Sequence, residues 1–312
     1  MSIFPKTLLI YYAWPSVING SSLMFSATEK AAANFAKYDY VVLGKGLENP
    51  CHPDYGNTIA ILSMPELHNT TIFGYINVGA PGNTRNHSVS EIETSVREWK
   101  QLGVQGIFFD NFGYDFLVTR AQQIAAITCA RNNELKVTVN AWFPIDVFGT
   151  ALHNDMNPEG LPPIRGGVDF YLSESYQIIE GEYQEEVKWK TKAEALEEYR
   201  AEFKFKIFSI TTNNDTNHYD QKQFDYAWYS ALLYEHEATG WGEFTFSANN
   251  GIAPFRLRPI VSPDDTFISP LLVKNTRHFR RTSQSCTPPI QNSGEVWIDT
   301  ETHKSGFLAS GS

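Results

Sequence analysis

Two carboxylates that each close an apolar run are the residues of this chain best placed to do chemistry. Asp110 follows "GIFF" and Glu174 follows "VDFYLS". A carboxyl group at the rim of an apolar interior is partly desolvated, which raises its pKa and suits it to proton donation. A second one nearby can stay charged if it receives hydrogen bonds. Glycosidic-bond hydrolysis needs such a pair, one group protonating the leaving oxygen while the other attacks the sugar or activates water. Each residue also has a plain structural reading, Asp110 as a helix cap or loop carboxylate and Glu174 as the ion-pair partner of a neighbouring Lys or Arg. Asp115, in the same stretch "GIFFDNFGYDF", reads as the N-cap of a helix beginning near Leu117, where an acid complements the helix dipole.

Other chemistries find less support. His52, His87, His153, His218 and His236 are scattered without metal-ligand spacing, no GxSxG elbow is present, and "LGKGLEN" lacks the third glycine of a phosphate loop. Cys51, Cys129 and Cys286 form no CxxC pair; a single bridge is the most they allow. Neither a metal nor a cofactor is therefore expected. The net charge of −10 argues against nucleic-acid binding, which needs a basic footprint, and would attract a polycation instead. No run approaches the ~20 apolar residues of a membrane span. The opening "MSIFPKTLLIYYAWPS" has no small-residue cleavage site and reads as a first strand.

The elements that must position the two acids alternate between strand-length apolar runs and amphipathic stretches, the pattern of a parallel sheet with crossover helices. Strands are expected at Thr7 to Trp14, Tyr38 to Gly46, Thr71 to Gly79, Val104 to Asn111, Lys136 to Trp142, Val168 to Tyr176, Phe205 to Asn213 and Ala238 to Ser247. An irregular segment separates the second and third. Ile92, Val96, Trp99 and Gly103 mark one helix face, with a capping box at Ser88 and Glu91, and Trp189, Ala193, Leu196 and Phe203 mark another. Eight such units over residues 1–250 predict an α/β fold, a (β/α)8 barrel. Residues 251–312, with "FRLRPIV", "HFRRTSQ" and "GEVWIDTETHKSGFL", predict a small β-rich appendage that covers the barrel or connects it to a larger assembly.

In such a barrel the site lies where the strands end. Besides the two acids, those ends carry Tyr12, Trp14, Lys45, Asn77, Asn111, Asn140, Trp142, Tyr176, Trp241 and Glu243, the candidate substrate contacts. Tyr12, Trp14, Trp142, Tyr176 and Trp241 would supply flat faces for sugar rings.

"GIFFDN" after a helix ending in "WKQLGV", the preceding "GYINVG", and the Glu of "DFYLSESY" together resemble the endo-α-1,4-polygalactosaminidase and spherulin-4-like group of glycoside hydrolases, over roughly Thr7 to Ser247. That family is a (β/α)8 barrel with a proton-donating Asp ending strand four and a second carboxylate, a Glu, ending strand six. The resemblance implies Asp110 as the acid, Glu174 as nucleophile or base, and as substrate an α-linked, galactosamine-containing polysaccharide cut internally. The long fifth loop, the "YYAWPS" opening and the β tail depart from the family pattern. A polysaccharide target implies an extracellular or virion-associated place of action. The alternative is a non-catalytic carbohydrate-binding or structural barrel within a larger secreted or virion assembly.

Overall fold

Eight parallel strands close into a barrel in the computed structural model, which describes residues 4–23, 25–79, 86–216, 218–259, 265–284 and 293–309. The strands are β1 (Lys6–Tyr11), β2 (Tyr40–Leu43), β3 (Thr71–Asn77), β4 (Gly106–Asp110), β5 (Lys136–Asn140), β6 (Phe170–Ser173), β9 (Lys206–Ile210) and β10 (Ala238–Gly240). A two-residue hairpin, β7 (Ile178–Ile179) and β8 (Glu182–Tyr183), follows β6. The connecting helices are α1 (Ala27–Phe35), α2 (Tyr55–Leu62), α3 (Val89–Leu102), α4 (Arg120–Asn132), α5 (Pro144–Phe148), α6 (Glu186–Phe203) and α7 (Gln221–Leu233).

Because side chains alternate along a strand, each apolar run supplies both faces of the wall. Leu8, Tyr40, Phe73, Phe108, Phe170 and Phe208 fill the interior, while Leu9, Val41, Ile72, Ile107, Val137 and Ile207 meet the helices. The interior is plugged by aromatic contacts such as Phe170 on Phe208, with ring centroids 4.2 Å apart. The barrel is thus solid below its rim.

The helix faces at Ile92, Val96 and Trp99 and at Trp189, Ala193, Leu196 and Phe203 are buried, and Ser88 and Glu91 form both halves of a capping box. Other expectations change. The segment between β2 and β3 is not irregular: it holds α2, of which only Thr58 and Ile61 are buried, too few to leave a periodic signal. Asp115 is not the N-cap of α4. It lies in a single 3₁₀ turn, Tyr114–Phe116; Leu117 then adopts a left-handed φ of 59°, and the cap is Thr119, whose side chain accepts from the Gln122 N–H. The eighth strand stops at Gly240 and does not reach Ser247, where Phe244–Ser247 forms a 3₁₀ turn with positive φ at Thr245 and Phe246.

Among the described residues no α-helix follows β10, only the 3₁₀ turn Phe244–Ser247. Residues 251–256 run instead as an irregular strap along the barrel, so "FRLRPIV" forms no strand through Pro259; Ile260 and Val261 lie outside the described residues. Asn19 holds the strap by accepting from the Ala253 N–H at 2.8 Å and donating to its carbonyl at 2.9 Å, and Phe255 packs edge-on against Tyr38. Beyond it, β11 (Asp265–Phe267), β12 (Leu272–Lys274), β13 (Arg277–Gln284), β14 (Ser293–Asp299) and β15 (Lys304–Ala309) form an antiparallel sheet. Val296 and Ile298 of this sheet share an apolar cluster with Trp189 of α6 and Tyr226 and Trp228 of α7. Cys51 and Cys129 are free thiols; Cys286 lies outside the described residues.

Candidate active site

Period-two alternation carries the inward face of each strand up to the rim. Tyr12 follows Leu8 and Ile10, Asn77 follows Phe73 and Tyr75, Asp110 follows Phe108, Asn140 follows Thr138, and Glu174 follows Phe170 and Leu172. Five strands thus aim a polar group at one place.

At its centre stands Asn140. Its Nδ2 donates to Asp110 Oδ1 at 2.8 Å and to Glu174 Oε2 at 2.6 Å. Those two lengths laid end to end bound the separation of the two carboxylate oxygens at about 5.4 Å. Asp110 receives further hydrogen bonds from the Tyr75 hydroxyl, at 2.7 Å, and from the Asn111 backbone N–H. Burial pushes the Asp110 carboxyl above the ordinary carboxylate range, and these three donors pull it back. Glu174 is pushed up by burial and then by the charge of Asp110; Asn140 and the ammonium of Lys192 oppose the rise. Tyr12, its ring edge-on to Tyr75 and Phe246, is held neutral chiefly by burial, with the two carboxylates adding to the effect.

The remaining expected residues divide. Asn77 accepts from Asn111 Nδ2 at 2.9 Å; Asn111 can turn back this way because it adopts a left-handed φ of 52°. Trp142, 47% exposed, stands over the Lys192 ammonium, and Trp14, equally exposed, meets His52 edge-on. Lys45 is exposed beyond β2, on the outward parity. Tyr176 borders the cleft that opens beside Glu174, though it is only 3% exposed and its hydroxyl lies 2.8 Å from Ser230. Two residues are occupied elsewhere. Trp241 is 5% exposed and packs under α7 against Tyr219 and Phe224. Glu243 is paired with Arg256 of the strap at 2.6 Å.

Two residues at the site escaped the list of strand ends. Tyr75 sits within a strand, two residues before Asn77 on the same face, so the alternation itself pointed to it. Lys192 lies on α6, where nothing in the local sequence distinguishes it from its charged neighbours. Beside Glu174 opens a cleft of 940 Å³, walled by Trp142, Phe143, Ile145, Tyr183, Val187 and Lys192. Among the described residues, no group of three or more His, Cys, Asp or Glu could hold a metal ion, and no helix is long and apolar enough to cross a membrane.

The chain matches no family model and no curated protein. Among solved structures it is similar to the glycoside hydrolase domain of PelA from Pseudomonas aeruginosa (14% identity, 76% of this chain and 94% of that one, TM-score 0.43). It is also similar to the GH18 chitinase ChiB from the chitin utilization locus of Flavobacterium johnsoniae (9%, 76% and 87%, TM-score 0.46). A third is the carboxyl transferase domain of Rhizobium etli pyruvate carboxylase (10%, 76% and 40%, TM-score 0.46). No function is carried over from similarity at this level.

Proposed function

We propose that the chain is a glycoside hydrolase that cuts a polysaccharide internally by two-carboxylate chemistry, with Asp110 and Glu174 as the pair. The observation that carries this reading is the single Asn140 nitrogen shared between them. A retaining pair stands about 5 to 5.5 Å apart, whereas an inverting pair needs roughly 6.5 to 9.5 Å to admit a water. The upper limit of about 5.4 Å between Asp110 Oδ1 and Glu174 Oε2 lies below the inverting range and favours retention.

The hydrogen bonds also favour a division of labour opposite to the one the motif resemblance implies. Donors aimed at a carboxylate stabilise its charged form. Asp110 has three and Glu174 has one, while Glu174 additionally feels the charge of Asp110. Asp110 is then the group kept ionised to attack the anomeric carbon, and Glu174 the one that keeps its proton for the leaving oxygen. In the second half of the reaction Glu174 takes a proton from the water that releases the sugar from Asp110. The "GIFFDN" and "DFYLSESY" motifs support an α-linked galactosamine-containing substrate, and the aromatic rim at Tyr12, Trp14 and Trp142 suits a sugar chain.

The test is a screen of amino-sugar polysaccharides with wild type, Asp110→Asn and Glu174→Gln. Neither variant should hydrolyse the natural linkage. On an aryl glycoside whose leaving group needs no protonation, Glu174→Gln should still form the glycosyl-enzyme, and added azide should release it; Asp110→Asn should do neither. Hydrolysis that survives both substitutions overturns the pair, and binding without hydrolysis by wild type would leave the non-catalytic module standing.

A further inference from the structure

The barrel does not wall the cleft beside Glu174 alone. Helix α6 lines it from Val187 to Tyr199, about 18 Å at 1.5 Å per residue, which is longer than a single sugar ring. The hairpin β7–β8, with Tyr183 in the wall, closes it next to the N-terminal end of that helix. Strands of two residues do not hold a hairpin in place by their own pairing. The barrel anchors its turn: the Gly181 N–H donates to the Thr212 carbonyl at 2.9 Å, and Gln223 Nε2 donates to the Gly181 carbonyl at 2.7 Å. Tyr183 is gripped from the C-terminal sheet.

His303, in the turn between β14 and β15, lies flat on the Tyr183 ring, with centroids 3.9 Å apart and planes 7° from parallel. Tyr226 of α7 meets both rings edge-on. The turn is built to present the imidazole. Asp299 Oδ1 accepts from the Thr302 N–H at 2.7 Å and from the Thr302 hydroxyl at 2.8 Å. His303 itself takes a left-handed φ of 52°, a conformation that persists only where the surroundings enforce it. In the same turn the Thr300 hydroxyl donates to Glu186 Oε2 at 2.6 Å, at the first residue of α6. One turn of the C-terminal sheet therefore fixes both the hairpin and the start of the helix that wall the cleft.

We propose that the C-terminal sheet completes the substrate cleft, with His303 as a positioning residue that holds Tyr183 as a flat wall for sugar units beyond those next to the scissile bond. The inference rests on the glycosidase reading above. The imidazole covers one face of the Tyr183 ring and sets its plane, and the surface left uncovered borders the cleft. An aromatic wall whose plane is set before the chain arrives loses little rotamer freedom on binding. Because the stack adds no group to the carboxylate pair, its effect falls on the hold on a long chain and not on bond cleavage.

Steady-state kinetics on an α-1,4-linked galactosamine polymer and on the aryl glycoside, which carries a single ring beyond the bond, test this. His303→Asn suits the left-handed turn and removes the flat ring. It should raise KM for the polymer by roughly three- to tenfold, the worth of an aromatic pair, shift the aryl glycoside less, and move kcat little. His303→Phe, which keeps a flat face, should hold KM near the wild-type value. In a Tyr183→Ala background His303→Asn should do nothing further, because the ring it positions is gone, whereas a general loosening would add in both backgrounds. His303→Gly, at ease at the same φ, serves should the Asn variant fail to fold. A polymer KM unchanged in His303→Asn, a rise equal for both substrates, or additive effects in the double variant overturns this inference and leaves the glycosidase reading intact. If wild type neither binds nor cleaves the polymer, both fall.

Discussion

Asn140 has one nitrogen and two acids to serve. Without it, each carboxylate loses a donor that stabilises its charged form, so both titrate higher. In Asn140→Ala the acid limb of the pH–rate profile should move to higher pH and kcat should fall by roughly 10² to 10³. Tyr75→Phe should move the same limb in the same direction by less, since it removes one donor from Asp110 alone. The burial that raises Asp110 also bears on stability. A carboxyl whose folded pKa lies above its unfolded value, about 4, contributes stability that is complete below that pH and lost as pH rises through the folded value. Asp110→Asn should therefore unfold at a higher temperature than wild type at pH 7, and thermal melts should show the gap closing toward pH 4. The central pair and its bridging amide were legible in the sequence, because each follows an apolar run and shares the parity of the interior residues. Applied to every strand, that parity would have excluded Trp241 and added Tyr75. It could not have found Lys192, which reaches the site from a helix, nor the left-handed backbone at Ser175 that precedes Tyr176.

Strand β3 and helix α3 show how an element holds a side chain of the candidate site still. A Cβ on Gly74 would lie 2.1 Å from the Trp99 ring, so the indole packs directly on the strand. There Trp99 Nε1 donates to the carbonyl of Tyr75, whose hydroxyl reaches Asp110. Gly74→Ala forces a shift in this contact and should cost roughly 1–3 kcal/mol in denaturant melts. It should also lower kcat as Tyr75 moves. Ser88→Ala removes one half of the capping box of α3 and should cost about 1 kcal/mol with little change in kcat. Both α3 and α6 could be read from sequence because they bury a regular stripe. By contrast α2 buries two residues, and the β7–β8 hairpin has strands of two residues each, so neither leaves a periodic trace. Asp115 looked like a cap because acids favour helix starts; the backbone reversal at Leu117 that moved the start to Thr119 has no such signature.

At the scale of the whole molecule, the C-terminal sheet is part of how α7 stays folded. That helix is buried on nearly every side, without a break from Tyr226 to Leu233, and Val296 and Ile298 cover part of it. Each of those two side chains contributes roughly 1.5–3 kcal/mol when fully buried. A chain ending at Pro259 should melt at a lower temperature and bind a hydrophobic dye; equal stability and no dye binding would show that the sheet is dispensable to the barrel. The barrel's own closure has a further consequence. Strands β1 and β10 pair through only two residue positions, Lys6 with Ala238 and Thr7 with Thr239, and the strap held by Asn19 bridges this join. Its two sides come from opposite ends of the barrel sequence. During synthesis the first strand must therefore wait, with one edge unpaired, until Ala238–Gly240 has left the ribosome. The join should be the last contact of the barrel wall to form and the first of that wall to exchange its amide hydrogens with solvent.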